Sequence, residues 1–249
     1  MKNISEYERF FAFGCSFTDY RWPTWADIIG NQIDLYYNFG GAAHSNSLIA
    51  RSVIHANLLH NFTENDLIII QWTDILRDEY YTNGIFRGTG NILHNTIFDT
   101  EIELENMAAA YYQRDYEYIT MINENLILKN LEFNFISMSR FLSAESSLPF
   151  DVNQISPYRK FQSVPNFLEE CFQGDWNNSN SVQVYDGKET IVDRHPDCVE
   201  HLDFVVKIWP SLIDKMLALA YINQYQGILS KGLDITRQGH IHDKTKRMN

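Results

Sequence analysis

Residues 66–72 read Asp-Leu-Ile-Ile-Ile-Gln-Trp, with three isoleucines in succession. Successive residues of a strand point to opposite faces, so this run has to be covered on both sides. The residues before it carry further strands and helices. Residues 9–13 (RFFAF) read as another strand without charge after Arg9, and 34–39 (DLYYNF) as a second, short one. Between these lies a helical stretch, 24–33, with Thr24 as N-cap after Pro23 and Trp25, Ile28 and Ile29 on one face. Residues 45–62 form another helical pattern, with Leu48, Ile49, Val53, Ala56 and Leu59 as its apolar stripe. Strand, helix, strand, helix, strand predicts a parallel α/β arrangement.

The same pattern continues with a long helix around 104–130, a fourth strand at 131–138 and a helical stretch from His201 to Leu229 broken at Pro210. Two stretches lack clean periodicity: the aromatic-rich 78–102 and the Ser-, Pro-, Asn- and Gln-rich 141–190. They read as loops inserted into a single domain spanning 1–249. The end, 231–249, carries Lys231, Arg237, Lys244, Lys246 and Arg247 against Asp234 and Asp243. It reads as a basic, solvated and partly disordered tail, with His240 and His242 in water.

Composition narrows the partners. The formal net charge is −12, whereas a nucleic-acid binder needs a basic surface, so no nucleic acid is expected. No apolar run reaches the length of a membrane span, and the first residues, MKNISEYERFF, lack the apolar core of a secretory signal. The expectation is a mature chain beginning near Met1 in the cytoplasm, with no membrane partner. Cys15, Cys171 and Cys198 form no CxxC pair and read as free thiols. The oligomeric state is left open.

In a parallel α/β sheet the binding crevice lies beyond the carboxyl ends of the strands. Three polar segments follow the predicted strands there: Gly14-Cys15-Ser16, residues 38–46, and Gln71-Trp72-Thr73-Asp74. A fourth, VDRHPDCVEH at 192–201, brings His195 with Asp193 two residues earlier. These are the parts of a hydrolytic serine centre. A serine hydroxyl needs a base to remove its proton, and a carboxylate to orient that base. If 193–195 is extended, Asp193 and His195 share a side. No GxSxG occurs, which excludes the α/β-hydrolase elbow.

Other readings stand beside this one. Ser16 also suits an ordinary strand-to-helix turn. His195, Asp197, Cys198, Glu200 and His201 also read as a metal cluster, and His201 as a rival base or a structural residue. His44 either lines the pocket or caps the following helix. Trp22 and Trp72 are candidate stacking surfaces for a substrate, whereas Trp25 fits the helix stripe. Arg77 either clamps an anionic group or pairs with Asp78 or Glu79.

Taken in order, FGCSFT (13–18), NFGGAAHSN (38–46), IIIQWTD (68–74) and DRHP (193–196) followed by His201 resemble the conserved blocks of the SGNH (GDSL) hydrolases, in the variant with a shortened D-x-H-P last block. The resemblance implies a flavodoxin-like three-layer α/β/α sandwich around a mostly parallel sheet of about five strands. It also implies ester hydrolysis without a metal or organic cofactor. It makes Ser16 the nucleophile, His195 the base and Asp193 its partner. The oxyanion donors would be the Ser16 N–H, the N–H of Ala43 where the family has glycine, and Thr73 where it has asparagine, with Asn46 as a replacement. Cys15 stands where the family has aspartate. The implied substrate is an ester, an O-acyl (acetyl) group on a carbohydrate; the alternative is an inactive glycan-binding or structural module on the same fold.

Overall fold

The computed structural model describes residues 1–91, 104–139, 164–242 and 247–248. Strand β1 (Arg9–Gly14) is followed by α1 (Trp25–Gly30), β2 (Leu35–Gly40), α2 (Asn46–His60) and β3 (Asp66–Trp72). A hairpin, β4 (Arg77–Thr82) and β5 (Ile85–Asn91), precedes the long α3 (Leu104–Leu128) and β6 (Phe133–Ser137). Then come α4 (Phe167–Phe172), β7 (Val182–Tyr185), β8 (Thr190–Asp193), α5 (Cys198–Ile208), α6 (Lys215–Leu229), and the short β9 (Leu233–Asp234) and β10 (Arg247–Met248).

Among the described residues the main sheet has the order β10-β2-β1-β3-β6, and every neighbouring pair is parallel. Alternation along the strands sorts the core into two halves. Phe10, Ala12, Leu67 and Ile69 join one apolar cluster with residues of α1, α4, α5 and α6. Phe11, Phe13, Ile68, Ile70 and Trp72 join the other, with residues of α2 and α3. This is a three-layer arrangement, as the family resemblance implies, and it covers the isoleucine run on both faces of β3. Residue Gly14 pairs with Gly40, so β1 and β2 end side by side and deliver their following loops to one edge.

Three stretches differ from their sequence reading. Residues 78–91, expected as part of the irregular loop 78–102, belong to the antiparallel β4–β5 hairpin; 92–102 lie outside the described residues. Of 141–190, the described part from 164 contains α4 and the β7–β8 hairpin, which with β9 makes a small second sheet. The segment read as a solvated tail is built into the molecule through 242. His242 is buried with its Nε2 3.6 Å from Asp27, the Ile241 N–H donates to the Arg21 carbonyl, and His240 meets the Tyr20 carbonyl at 3.0 Å. The basic composition of the segment hid this, because it says nothing about a single apolar or imidazole side chain finding a niche.

Candidate active site

Ser16 sits immediately beyond β1, in a tight turn in which the Thr18 and Asp19 N–H groups both donate to the Cys15 carbonyl. Three neighbouring elements hold that turn. The Thr18 hydroxyl donates to Gln71 Oε1 of β3 at 2.7 Å, while the Thr18 carbonyl accepts from Asn38 Nδ2 of β2 and from the Thr24 hydroxyl. Glycine is required at 14: a Cβ there would stand 2.0 Å from Thr18 Oγ1. The serine is thus carried on a turn with few alternatives, and the residue is 6% exposed.

His195 Nε2 lies 2.9 Å from Ser16 Oγ, and His195 Nδ1 lies 2.8 Å from Asp193 Oδ1. Asp193 closes β8, and its carboxylate accepts the His195 backbone N–H as well, at 3.0 Å. The two residues therefore cooperate through a side-chain-to-backbone turn, not through an extended i, i+2 register. With Nδ1–H given to the carboxylate, Nε2 is left to accept from the serine hydroxyl. Burial alone would raise the Asp193 carboxyl, but the His195 hydrogen bond and charge, with the Tyr20 hydroxyl, hold it below its ordinary value.

Tyr20 was not legible as a site residue. Its hydroxyl donates to Asp193 Oδ2, and its ring stacks on the imidazole of His195 at 3.9 Å between centroids. Burial and the adjacent carboxylate push the Tyr20 phenol well above its ordinary value, so it stays a donor. Phe17 meets the His195 ring edge-on. The one hint in the sequence is that both aromatics follow Ser16 within four residues.

The remaining candidates divide sharply. Trp22 is fully buried and donates from its indole to the Pro196 carbonyl at 2.7 Å, so it anchors the His195 loop and offers no stacking face. Trp72 is also fully buried, pointing into the α2–α3 side of the core against Phe135. The sequence reading offers both as substrate surfaces; both belong to the interior, Trp72 because alternation on β3 sends it to the face under α2 and α3. His44 is not the cap of α2, a role taken by Ser45. Its ring lies against Gly41 and faces the Gly14 carbonyl, and burial lowers its pKa, so it stays neutral.

On the oxyanion side, Asn46 is no free donor. Its Oδ1 accepts the Thr73 N–H at 2.8 Å, and its Nδ2 donates to the Thr73 carbonyl and to Asp115 Oδ2. It ties α2 to the end of β3, and both its amide protons are spent. Thr73 is buried with its hydroxyl 3.8 Å from the Met138 sulfur. The N–H groups of Ser16 and Ala43 make no hydrogen bond among the described residues. Ala43 has φ 62°, the left-handed region that favours glycine. The hairpin crosses directly over it: a Cβ on Gly88 would stand 2.0 Å from the Ala43 carbonyl oxygen.

The residues of the alternative metal cluster are otherwise engaged. Asp197 caps α5, Glu200 completes its capping box, and His201 is buried between Phe17 and Phe167, where burial pushes its pKa down to about 3. Among the described residues no group of three His, Cys, Asp or Glu is arranged to hold a metal ion. Among them, too, no helix is long and apolar enough to cross a membrane.

Neither a family model nor a curated protein matches the sequence. Among solved structures, the chain is similar to a member of the lipolytic protein G-D-S-L family from Veillonella parvula DSM 2008, with 15% identity and a TM-score of 0.46 over 82% of this chain and 99% of that one.

Proposed function

We propose that this chain is a serine ester hydrolase in which Ser16 is the nucleophile, His195 the general base and Asp193 its orienting carboxylate. The observation that supports it is the unbroken relay from Ser16 Oγ through His195 to Asp193, at 2.9 and 2.8 Å. In this mechanism Ser16 Oγ attacks the ester carbonyl as its proton passes to His195 Nε2. The tetrahedral oxyanion is received by the N–H groups of Ser16 and Ala43. His195 then returns the proton to the leaving alcohol, leaving an acyl-Ser16. Water, deprotonated by the same nitrogen, releases the acid. Asp193 stays ionised throughout and stabilises the imidazolium. No metal or organic cofactor enters these steps.

The finer proposal, an O-acyl group on a carbohydrate, draws on the resemblance of the four sequence segments and not on Trp22 or Trp72. A second reading, a binding module without turnover, is favoured by one observation: the side-chain oxyanion donors are gone, with Asn46 consumed and the Thr73 hydroxyl turned to sulfur. Losing one such donor costs about 10²–10³ in rate in other serine hydrolases. Exposure to a fluorophosphonate, read by intact mass, separates the two. The hydrolase gives a single adduct on Ser16, abolished by Ser16→Ala and by His195→Ala; a folded protein that takes no adduct is the binding module.

A further inference from the structure

Near this site, at the start of β4, lies a cation whose neighbours have other partners. The sequence offers Arg77 either as a partner of Asp78 or Glu79 or as a clamp for an anion. The first option is closed by the structure. Asp78 takes Arg114 at 3.1 Å and the Tyr111 hydroxyl at 2.6 Å. Glu79 takes Arg51 at 2.6 Å and the hydroxyls of Ser45 and Ser47. Arg114 even holds the Arg77 carbonyl, fixing the backbone while leaving the guanidinium aside.

Among the described residues Arg77 makes no ion pair. Its Nε is buried without a hydrogen-bond partner, and one terminal nitrogen lies 3.6 Å from the Met138 sulfur, a weak acceptor. That sulfur also touches Cys15 Sγ at 3.9 Å and Thr73 Oγ1 at 3.8 Å. One thioether therefore separates the guanidinium from the residue before Ser16 and from the end of β3. A half-buried guanidinium that meets only sulfur among the described residues carries an unreturned desolvation cost, which an anion offsets.

From this juxtaposition we propose that Arg77 recognises a carboxylate borne by the ester substrate, on its acyl or its alcohol part; among carbohydrates, an O-acylated acidic sugar. The inference rests on the hydrolase reading and adds its charge selectivity. A singly charged group is indicated rather than a phosphate dianion. The other arginines nearby, Arg51 and Arg114, are committed to Glu79, Asp78 and Asp115. His44 is kept neutral by burial and adds no second positive charge. The overall charge of −12 repels anions at long range, so attraction has to come from a cation at the site itself.

The test uses the full chain and two matched pairs of chromogenic esters. One pair differs by a terminal carboxylate or carboxamide on the acyl part, the other by the same groups on the alcohol part. The expected result is a kcat/KM ratio of charged to neutral ester of about tenfold in at least one pair. That ratio collapses towards one in Arg77→Gln and is partly kept in Arg77→Lys. On the unaltered protein, the ratio falls between about 0.1 M and about 1 M salt, as the screening length shrinks from about 10 Å to about 3 Å. This arm holds even where a variant fails to fold. Turnover of all four esters with no charge preference and no salt dependence overturns the Arg77 assignment alone. No turnover of any ester, with no fluorophosphonate adduct on Ser16, overturns the hydrolase reading and this inference with it.

Discussion

Tyr20 lies flat on His195, with 19° between the ring planes, and its hydroxyl reaches the far oxygen of the carboxylate that His195 uses. The one side chain thus holds both the ring and its partner. Asp193 Oδ1 serves His195 through the ring and the backbone, and Oδ2 serves Tyr20. The Tyr20 loop is itself tied down by His240 and Ile241.

Removing only the hydroxyl separates these roles. Tyr20→Phe keeps the stack and loses a hydrogen bond to a charged group, worth about 1.5–3 kcal/mol at most. We expect kcat on an activated ester to fall about tenfold with KM little changed, and Tyr20→Ala to fall further because the imidazole loses its backing. Steady-state kinetics on both variants checks this; a Tyr20→Phe variant as fast as the parent would remove Tyr20 from the positioning role.

Asn46 is the joint between α2, the end of β3 and α3. Asn46→Ala leaves the Thr73 N–H and carbonyl unpaired in a fully buried place, each at a cost of about 1–3 kcal/mol. A loss of about 3 kcal/mol in urea unfolding is expected. Asn46→Asp should be worse still, since it sets a carboxylate against Asp115, whose amide partner was 2.8 Å away.

Ala43 and Gly88 give opposite signs at one crossing. Ala43→Gly relieves a left-handed alanine and is expected to stabilise the protein by up to about 1 kcal/mol, the residual flexibility of glycine taking back part of the gain. Gly88→Ala drives a methyl into the Ala43 carbonyl and should displace the hairpin, lowering the melting temperature. Thermal unfolding of the two variants side by side is the check.

Glu200 supplies a pH dependence. Burial, with the nearby charges of Asp197 and Asp203 adding to it, raises its carboxyl from 4.5 to about 7, although the Asn180 and Asp197 N–H groups pull the other way. A carboxyl raised on folding holds its proton in the folded state after the unfolded chain has lost it. Its favourable contribution is therefore complete below pH 4.5 and is lost as pH rises to about 7. Glu200→Gln should flatten the decline of melting temperature across that window; parallel curves for variant and parent would contradict the assignment.

Much of the architecture was legible because burial on both faces leaves a mark in consecutive residues. Ile68, Ile69 and Ile70 announce a covered strand, and the alternating apolar stripes announce its helices. Strand direction then set Ser16 and Asn38 at one edge, and the Asp193–His195 spacing made a local pair. Other choices were decided only when the chain closed. Trp22 and Trp72 became interior, Asn46 spent its amide on Thr73 and Asp115, and His242 found Asp27. Tyr20 meets a carboxylate 173 positions away, and Ser16 an imidazole 179 positions away. Periodicity reports which face of an element is apolar, since that depends on neighbours three or four residues off. Which polar atom satisfies which, across such separations, depends on how those faces pack, and no local pattern carries that information.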